Sequence, residues 1–252
     1  MDKYNVYQDM SRRTGGEIYL GIVGPVRTGK STFIKRFMEL VVIPEMTDDN
    51  EKVRTIDELP QSADGKTIMT TEPKFIPKEA AVIHFSNQET GKIRLIDCVG
   101  YLVPEAVGAI EEEKERMVKT PWSEEEIPFS KAAEIGTSKV IREHSNLGLI
   151  ITTDGSFGDI PAVNFEEALQ KTVMECEKAG KPFLILVNTS RPDSQETIQF
   201  TKRLEAQYGK TVMAVNCKTM DREDVFRIME QLLADFPITR LNFLLPKWVE
   251  FL

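Results

Sequence analysis

Cysteine and histidine are scarce in this chain. Cys98, Cys176 and Cys217 stand far apart, and His84 and His144 are the only histidines among 252 residues. An odd number of widely spaced thiols argues against a disulfide framework and fits reduced cysteines. Two scattered histidines add no zinc site of ordinary spacing. A basic excess is missing as well: the net charge is −8 and the isoelectric point is near 5.1. That balance argues against a nucleic-acid partner held by a general basic surface. No stretch approaches the ~18 consecutive apolar residues of a membrane-spanning helix, and Met1–Met10 has no hydrophobic signal region. The expectation is a cytoplasmic chain without a direct membrane span.

What is present is an ordinary globular composition, with 41% hydrophobic and 29% charged residues, enough to bury a substantial core without staples. Residues 1–16 are polar and end in Thr14-Gly15-Gly16, which predicts a short helical extension closed by glycines. After the apolar run Ile18–Val23, a helix is expected to reach about Ile43, where Pro44 stops it. Residues 45–66 suit an exposed loop with room for a short helix. Ala80–Ser86 and Ile93–Asp97, joined by Asn87–Gly91, carry a hairpin signal. A long irregular segment is expected from Asp97 to about Pro128, its acidic runs Glu111–Glu113 and Glu124–Glu126 flanking Pro121-Trp122: a solvated insertion or a mobile switch surface.

Beyond a helix over Ala132–Ser145 the alternation is regular. Strands are expected at Leu147–Thr153, Phe183–Asn188 and Val212–Asn216, and helices at about Phe165–Ala179, Glu196–Tyr208 and Arg222–Asp235. Such alternation calls for right-handed crossovers, and the nearly all-apolar strands for a sheet buried on both faces. The predicted fold is α/β, a mostly parallel sheet with helices on both faces spanning 17–236. Residues 237–252 end on the apolar Trp248-Val249-Glu250-Phe251-Leu252, which reads as the start of a following, truncated region.

One motif organises this pattern. Gly24-Pro25-Val26-Arg27-Thr28-Gly29-Lys30-Ser31 is a complete G-x-x-x-x-G-K-S between a strand and a helix that opens with Thr32. Glycines let such a loop curl its amides inward, Lys30 offers a point charge to the β- and γ-phosphates, and Ser31 a hydroxyl to Mg²⁺. Asp97-Cys98-Val99-Gly100 then forms D-x-x-G at a strand end, with Asp97 placed for the magnesium shell and Gly100 for close approach to the γ-phosphate. Its distance behind the P-loop is that of a P-loop NTPase of the translation-factor, or Ras-like, class. Thr70 and Thr71 lie between the two motifs, where such folds place a switch threonine. Which of them touches the metal is left open.

Two departures matter. The guanine motif Asn-Lys-x-Asp would stand at Asn188, yet the chain reads Asn188-Thr189-Ser190-Arg191. Without the carboxylate that accepts from guanine N1 and N2, ATP is expected over GTP, with Asp193 as a possible compensating group. The glutamine that often follows D-x-x-G is Tyr101, so another group must assist hydrolysis. Arg27 is the candidate, because Gly-x-x-Arg-x-Gly-Lys-Ser resembles the loop of guanylate-binding proteins and atlastins. In those families the arginine acts as a finger supplied in cis. The alternatives are an Arg27 facing solvent or an interface, and, for the whole chain, a GTP-dependent switch or a nucleotide-holding module without turnover.

Over its whole length the chain resembles the N-terminal nucleotide-binding region of the stage IV sporulation protein A family, spore-coat morphogenetic ATPases of endospore-forming bacteria. The match is carried by residues 14–21, 27–33, 37–42, 57–62, 65–75 and 94–101, and continues through Thr120-Pro121-Trp122, Ile127–Phe129, Ala133–Thr137, Ile151–Gly155, Gly158–Ile160, Gly180–Phe183 and Arg191-Pro192. The resemblance implies Mg²⁺-dependent ATP hydrolysis that drives assembly. Lys30 and Ser31 carry over as Walker A residues, Thr70 and Thr71 as switch or sensor threonines, and Asp97 as the Walker B carboxylate. It further implies self-association into a polymer on the mother-cell face of the forespore outer membrane, a small amphipathic membrane-bound localising peptide, and other spore coat morphogenetic proteins as partners.

Overall fold

The computed structural model describes residues 17–60, 72–84, 90–106, 110–111 and 114–234. The expected N-terminal helix over 1–16, Thr70, Thr71 and residues 237–252 lie outside the described residues. Strand β1 (Glu17–Val23) runs into the glycine-rich loop and helix α1 (Lys30–Phe37), which widens into a π-helical turn over Met38–Val42 and a 3-10 turn over Ile43–Glu45. Pro44 sits inside that last turn, and the chain turns extended at Met46, so the predicted stop is displaced by only a few residues. Helix α2 (Asp49–Glu58) is capped by Asp48, whose side chain accepts from the Asn50 and Glu51 amides.

Strands β2 (Lys74–His84) and β3 (Thr90–Asp97) make the predicted hairpin, with β2 longer than its signal. Pro77 hides the first half from a strand reading, because proline withdraws a ladder donor. The structure accommodates it beside a register shift between Ile76 and Ala81, on a strand at the edge of the sheet. The segment from 98 to 128 departs from the predicted irregularity. It holds two small antiparallel ribbons, β4 (Ile110–Glu111) with β5 (Lys114–Glu115), and β6 (Met117–Thr120) with β7 (Ser123–Pro128). Thr120 pairs with Ser123, so Pro121-Trp122 is a two-residue turn and Glu124–Glu126 an exposed strand. A ribbon with few apolar residues gives little periodic signal, and the contacts that shape this one come from helix α3 (Phe129–Lys139): the Phe129 amide donates to the Arg116 carbonyl at 2.8 Å, and Lys139 lies over the Trp122 ring.

The remainder follows the predicted alternation: β8 (Leu147–Thr153), α4 (Glu166–Ala179), β9 (Phe183–Asn188), α5 (Gln195–Tyr208), β10 (Val212–Val215) and α6 (Arg222–Ala234). The main sheet has six strands in the order β10-β9-β8-β1-β3-β2, parallel except for β2. Its two faces are filled separately. Leu20, Ile22, Leu95, Leu149 and Leu186 pack with Phe33, Ile34 and Phe37 of α1 and with Ile228 and Leu232 of α6. Val23, Ile96, Ile150, Ile185 and Val187 pack with Val140 and Ile141, Leu169 and Val173 of α4, and Leu204 of α5. Neighbours β1 and β3 leave the sheet at the same end, since parallel register aligns Ile22 with Asp97. Among the described residues no helix is long and apolar enough to cross a membrane.

Phe33 is fully buried against Phe37, with ring centroids 5.9 Å apart. Phe33→Ala is expected to cost about 3–5 kcal/mol in urea unfolding, while Val53→Ala, at an exposed position on α2, stays within about 0.5 kcal/mol.

Candidate functional site

Strand order reverses around β1, and the carboxyl ends of β1, β3, β8 and β9 surround the loop from Gly24 to Gly29. In open α/β sheets this crevice is where ligands bind. Helix α1 begins there without a side-chain cap and without an acidic residue in its first turn. Its free amides and dipole favour an anion. Lys30 is buried, and its Nζ donates to the Pro25 carbonyl at 2.6 Å and, at the margin, to that of Gly24 at 3.4 Å. Burial pulls its pKa down. The ammonium is thus held by main-chain carbonyls of the loop itself.

Asp97 reaches the same crevice from the end of β3. Its Oδ2 accepts from the Ser31 hydroxyl at 2.9 Å, while Oδ1 is shielded from solvent and has no hydrogen-bond partner among the described residues. Burial pushes the carboxyl up, against the opposing pull of Lys30 and of the Ser31 hydrogen bond. Burial also pushes the Cys98 thiol up, to about 11, and Asp97 is the carboxyl that faces Lys30. A carboxylate oxygen without a partner beside a serine hydroxyl is a donor set suited to a hard divalent cation.

Gly100 brings the two motifs into contact. Its φ is +92°, and a Cβ there would lie 2.0 Å from the Gly24 carbonyl oxygen and 2.8 Å from Lys30 Nζ. The next residue completes the seam: the Val26 amide donates to the Tyr101 carbonyl at 2.9 Å. The Tyr101 ring is buried with Val26, Val103, Ile160 and Phe165, so it serves packing where a glutamine would have reached for water.

Thr28 has its hydroxyl on the Pro25 carbonyl, 3.0 Å away. Asn188 lies under the loop: Nδ2 donates to the Thr28 carbonyl at 3.0 Å, and Oδ1 accepts from the Cys217 amide at 3.0 Å. Gly29, at φ +94°, leaves room for it, since a Cβ would fall 2.4 Å from Nδ2. Thr32 is half-buried in the first turn of α1. Arg27 is exposed, without a hydrogen bond or ion pair to other described residues, and takes a left-handed φ of +62°. Arg191 pairs with Glu196 at 3.2 Å on the surface, and Asp193 is exposed. The structure therefore brings Gly24, Thr28, Gly29, Lys30, Ser31, Asp97, Gly100 and Asn188 together, with Arg27 at the rim.

Sequence reasoning misses the turn after β10. Cys217 holds Asn188 through its backbone, and Arg36 of α1 donates to the Met220 carbonyl at 2.8 Å; main-chain partners leave no mark in side-chain patterns. Among the described residues no group of three or more His, Cys, Asp or Glu is placed to hold a metal.

Gly100→Ala is expected to lower the melting temperature and to weaken ligand binding at Lys30 by at least tenfold, because the methyl group has no space and the backbone is strained. Circular dichroism melting with nucleotide titration checks both effects.

Comparison with known proteins gives the family. The model described as stage IV sporulation protein A, ATPase domain, matches residues 1–237. The chain is 50% identical over 249 residues to stage IV sporulation protein A of Bacillus subtilis (strain 168), covering 99% of this chain and 51% of that protein. The corresponding protein of Bacillus anthracis is 49% identical over 249 residues, again 99% and 51%. That of Clostridioides difficile (strain 630) is 48% identical over 246 residues, 98% and 50%. The chain spans about half the length of the curated relatives it matches. With the family model aligned over nearly the whole chain and half of all residues shared, this chain belongs to the stage IV sporulation protein A family.

Proposed function

We propose that this chain is the ATP-binding and ATP-hydrolysing region of a morphogenetic protein that assembles the basal layer of the bacterial spore coat, on a P-loop NTPase fold of the translation-factor class. The observation that carries the reading is the pairing of Ser31 with Asp97 at 2.9 Å, next to buried Lys30 and under the uncapped end of α1. Membership in the stage IV sporulation protein A family supports the sporulation and ATPase parts of the reading. The parallel order with one antiparallel edge strand supports the fold class.

In this reading the triphosphate of ATP displaces Lys30 from the Pro25 carbonyl, and main-chain amides between Arg27 and Thr32 enclose it. Ser31 and Asp97 would hold Mg²⁺, with Thr71 as a third ligand; bound there, the ion neutralises charge on the β- and γ-phosphates. Gly100 stands close to the γ-phosphate position, and Thr70 and Thr71 serve as sensors. Arg27 bends over the phosphates from the rim and stabilises the charge that develops in transfer. A non-glycine residue held at positive φ costs about 1–2 kcal/mol, and such strain concentrates at functional positions.

ATP is favoured over GTP because Arg191, which occupies the place of the guanine-reading carboxylate, is a cation paired outward to Glu196. A GTP-dependent switch is the second reading, drawn from the same strand order and from Asn188 beneath the loop. The partners in this reading are those the family resemblance implies: further copies in a polymer, a small amphipathic membrane-bound peptide, and other coat morphogenetic proteins at the mother-cell face of the forespore outer membrane.

Competition for one labelled nucleotide tests the reading: ATP is expected to displace it at least tenfold better than GTP, and GTP winning by orders of magnitude would reverse the assignment. A saturating ligand, at a hundredfold excess over its Kd, stabilises by about 2.7 kcal/mol. Mg·ATP should therefore raise the melting temperature of the chain, Lys30→Ala should abolish that rise, and Asp97→Asn should remove its magnesium dependence.

Arg27→Ala is expected to slow phosphate release by about 10³-fold or more while nucleotide affinity changes little. Arg27→Gly should turn over as slowly as Arg27→Ala yet melt higher than it, because glycine tolerates the left-handed backbone. Undiminished turnover in both variants would remove Arg27 from the mechanism.

A further inference from the structure

Strand β8 ends in Thr152-Thr153, followed by Asp154, and β9 in Asn188, followed by Thr189-Ser190-Arg191, the segment beside the P-loop clamp. The Thr189 side chain is fully buried, and its hydroxyl donates to Asp154 Oδ2 at 2.6 Å while accepting from the Arg191 amide at 3.2 Å. The other carboxylate oxygen, Oδ1, accepts from the Ser156 amide at 3.0 Å. Ser156 Oγ in turn accepts from the Ser190 amide at 2.8 Å. The Thr189 amide is spent on the Val215 carbonyl at 2.9 Å. All three main-chain donors of 189–191 are thus accounted for, and two of them lead back to Asp154.

We propose that Asp154 is a positioning residue for nucleotide binding: through Thr189 and Ser156 it fixes the 189–191 segment, and with it Asn188, in the shape that receives the base. This rests on the reading of the loop around Lys30 as a nucleoside triphosphate site. Asn188 is the next residue along the chain and the one that holds the Thr28 carbonyl. A segment free to shift at Thr189 would carry the Asn188 amide with it and loosen the floor of the loop. Lys30, Ser31 and Asp97 are anchored from α1 and β3, and Arg27 is exposed at the rim of the loop, so Asp154 is expected to act on binding far more than on the chemical step.

A carboxylate suits this place because both of its oxygens accept. An asparagine must turn an NH₂ group either toward the Ser156 amide, a donor, or toward Thr189 Oγ1, whose own proton then loses its acceptor and has to be redirected. Loss of a hydrogen bond to a charged group corresponds to roughly tenfold or more in an equilibrium constant.

The experiment uses the 252-residue chain with ATP and GTP, reading KM and kcat for hydrolysis, the Kd of a non-hydrolysable ATP analogue by calorimetry, and the melting temperature without nucleotide. Asp154→Asn and Thr189→Val are each expected to raise KM and Kd about tenfold, leave kcat within twofold, and narrow the preference for ATP. Thr189→Ser, which keeps the hydroxyl, should stay within twofold of the parent, and the double variant Asp154→Asn/Thr189→Val should be no worse than either single one. Parent-like KM and Kd in the single variants would overturn the proposal. So would a fall in kcat at constant KM, a Thr189→Ser as weak as Thr189→Val, or weakened binding accounted for entirely by unfolding at the assay temperature. If the parent chain binds neither nucleotide, the site reading itself fails and takes this proposal with it; a parent that binds, with unaffected variants, overturns only the role of Asp154.

Discussion

The hydrogen bond from Ser31 to Asp97 is the constraint on which the site depends, because it draws a carboxylate into the same shielded crevice as the Lys30 ammonium. Both groups are disfavoured by burial, and neither is fully repaid by the other. Lys30 leans on the Pro25 carbonyl, and Asp97 keeps one oxygen without a partner. Buried charges left partly unsatisfied cost stability. Here that cost falls on the crevice proposed to take a negatively charged ligand and a cation. Everything around the crevice works to hold that arrangement: the parallel pairing of β1 with β3, the close approach of Gly100 to Gly24, and the Asn188 clamp below the loop.

The two sheet faces explain why a loop under such strain stays in place. Phe33, Ile34 and Phe37 anchor α1 into the larger apolar cluster, fixing the direction of its N-terminus. Arg36, one residue before Phe37, ties the same helix to the turn after β10 through the Met220 carbonyl. The loop is therefore held from behind by packing and from the side by hydrogen bonds to two different strand ends.

Much of this was legible in the sequence where burial dictates composition. Leu147–Thr153 and Phe183–Asn188 read as strands to the residue, because a strand covered on both faces has to be apolar throughout. Gly24–Ser31 and Asp97–Gly100 read as a site because each residue type has a chemical reason to stand there. The start of β2 did not, since Pro77 argues locally against a strand that its edge position tolerates. The ribbon of Met117–Pro128 did not either, its acidic residues facing water with no buried face to set a period. Asp154 stood only in the Ile151–Gly155 block of the resemblance: its bond from the Ser156 amide is a local turn contact, while its partner Thr189 comes from a chain segment that only the fold brings near.

The seam between Val26 and Tyr101 couples two loops that sequence separates by more than seventy residues. The peptide group at one end belongs to the glycine-rich loop, while the phenol at the other is locked into an apolar cluster with Phe165 and with Ala168 of α4. Loosening that cluster would therefore loosen the loop as well, and the packing beside α4 acts as a counterweight that steadies the loop from outside.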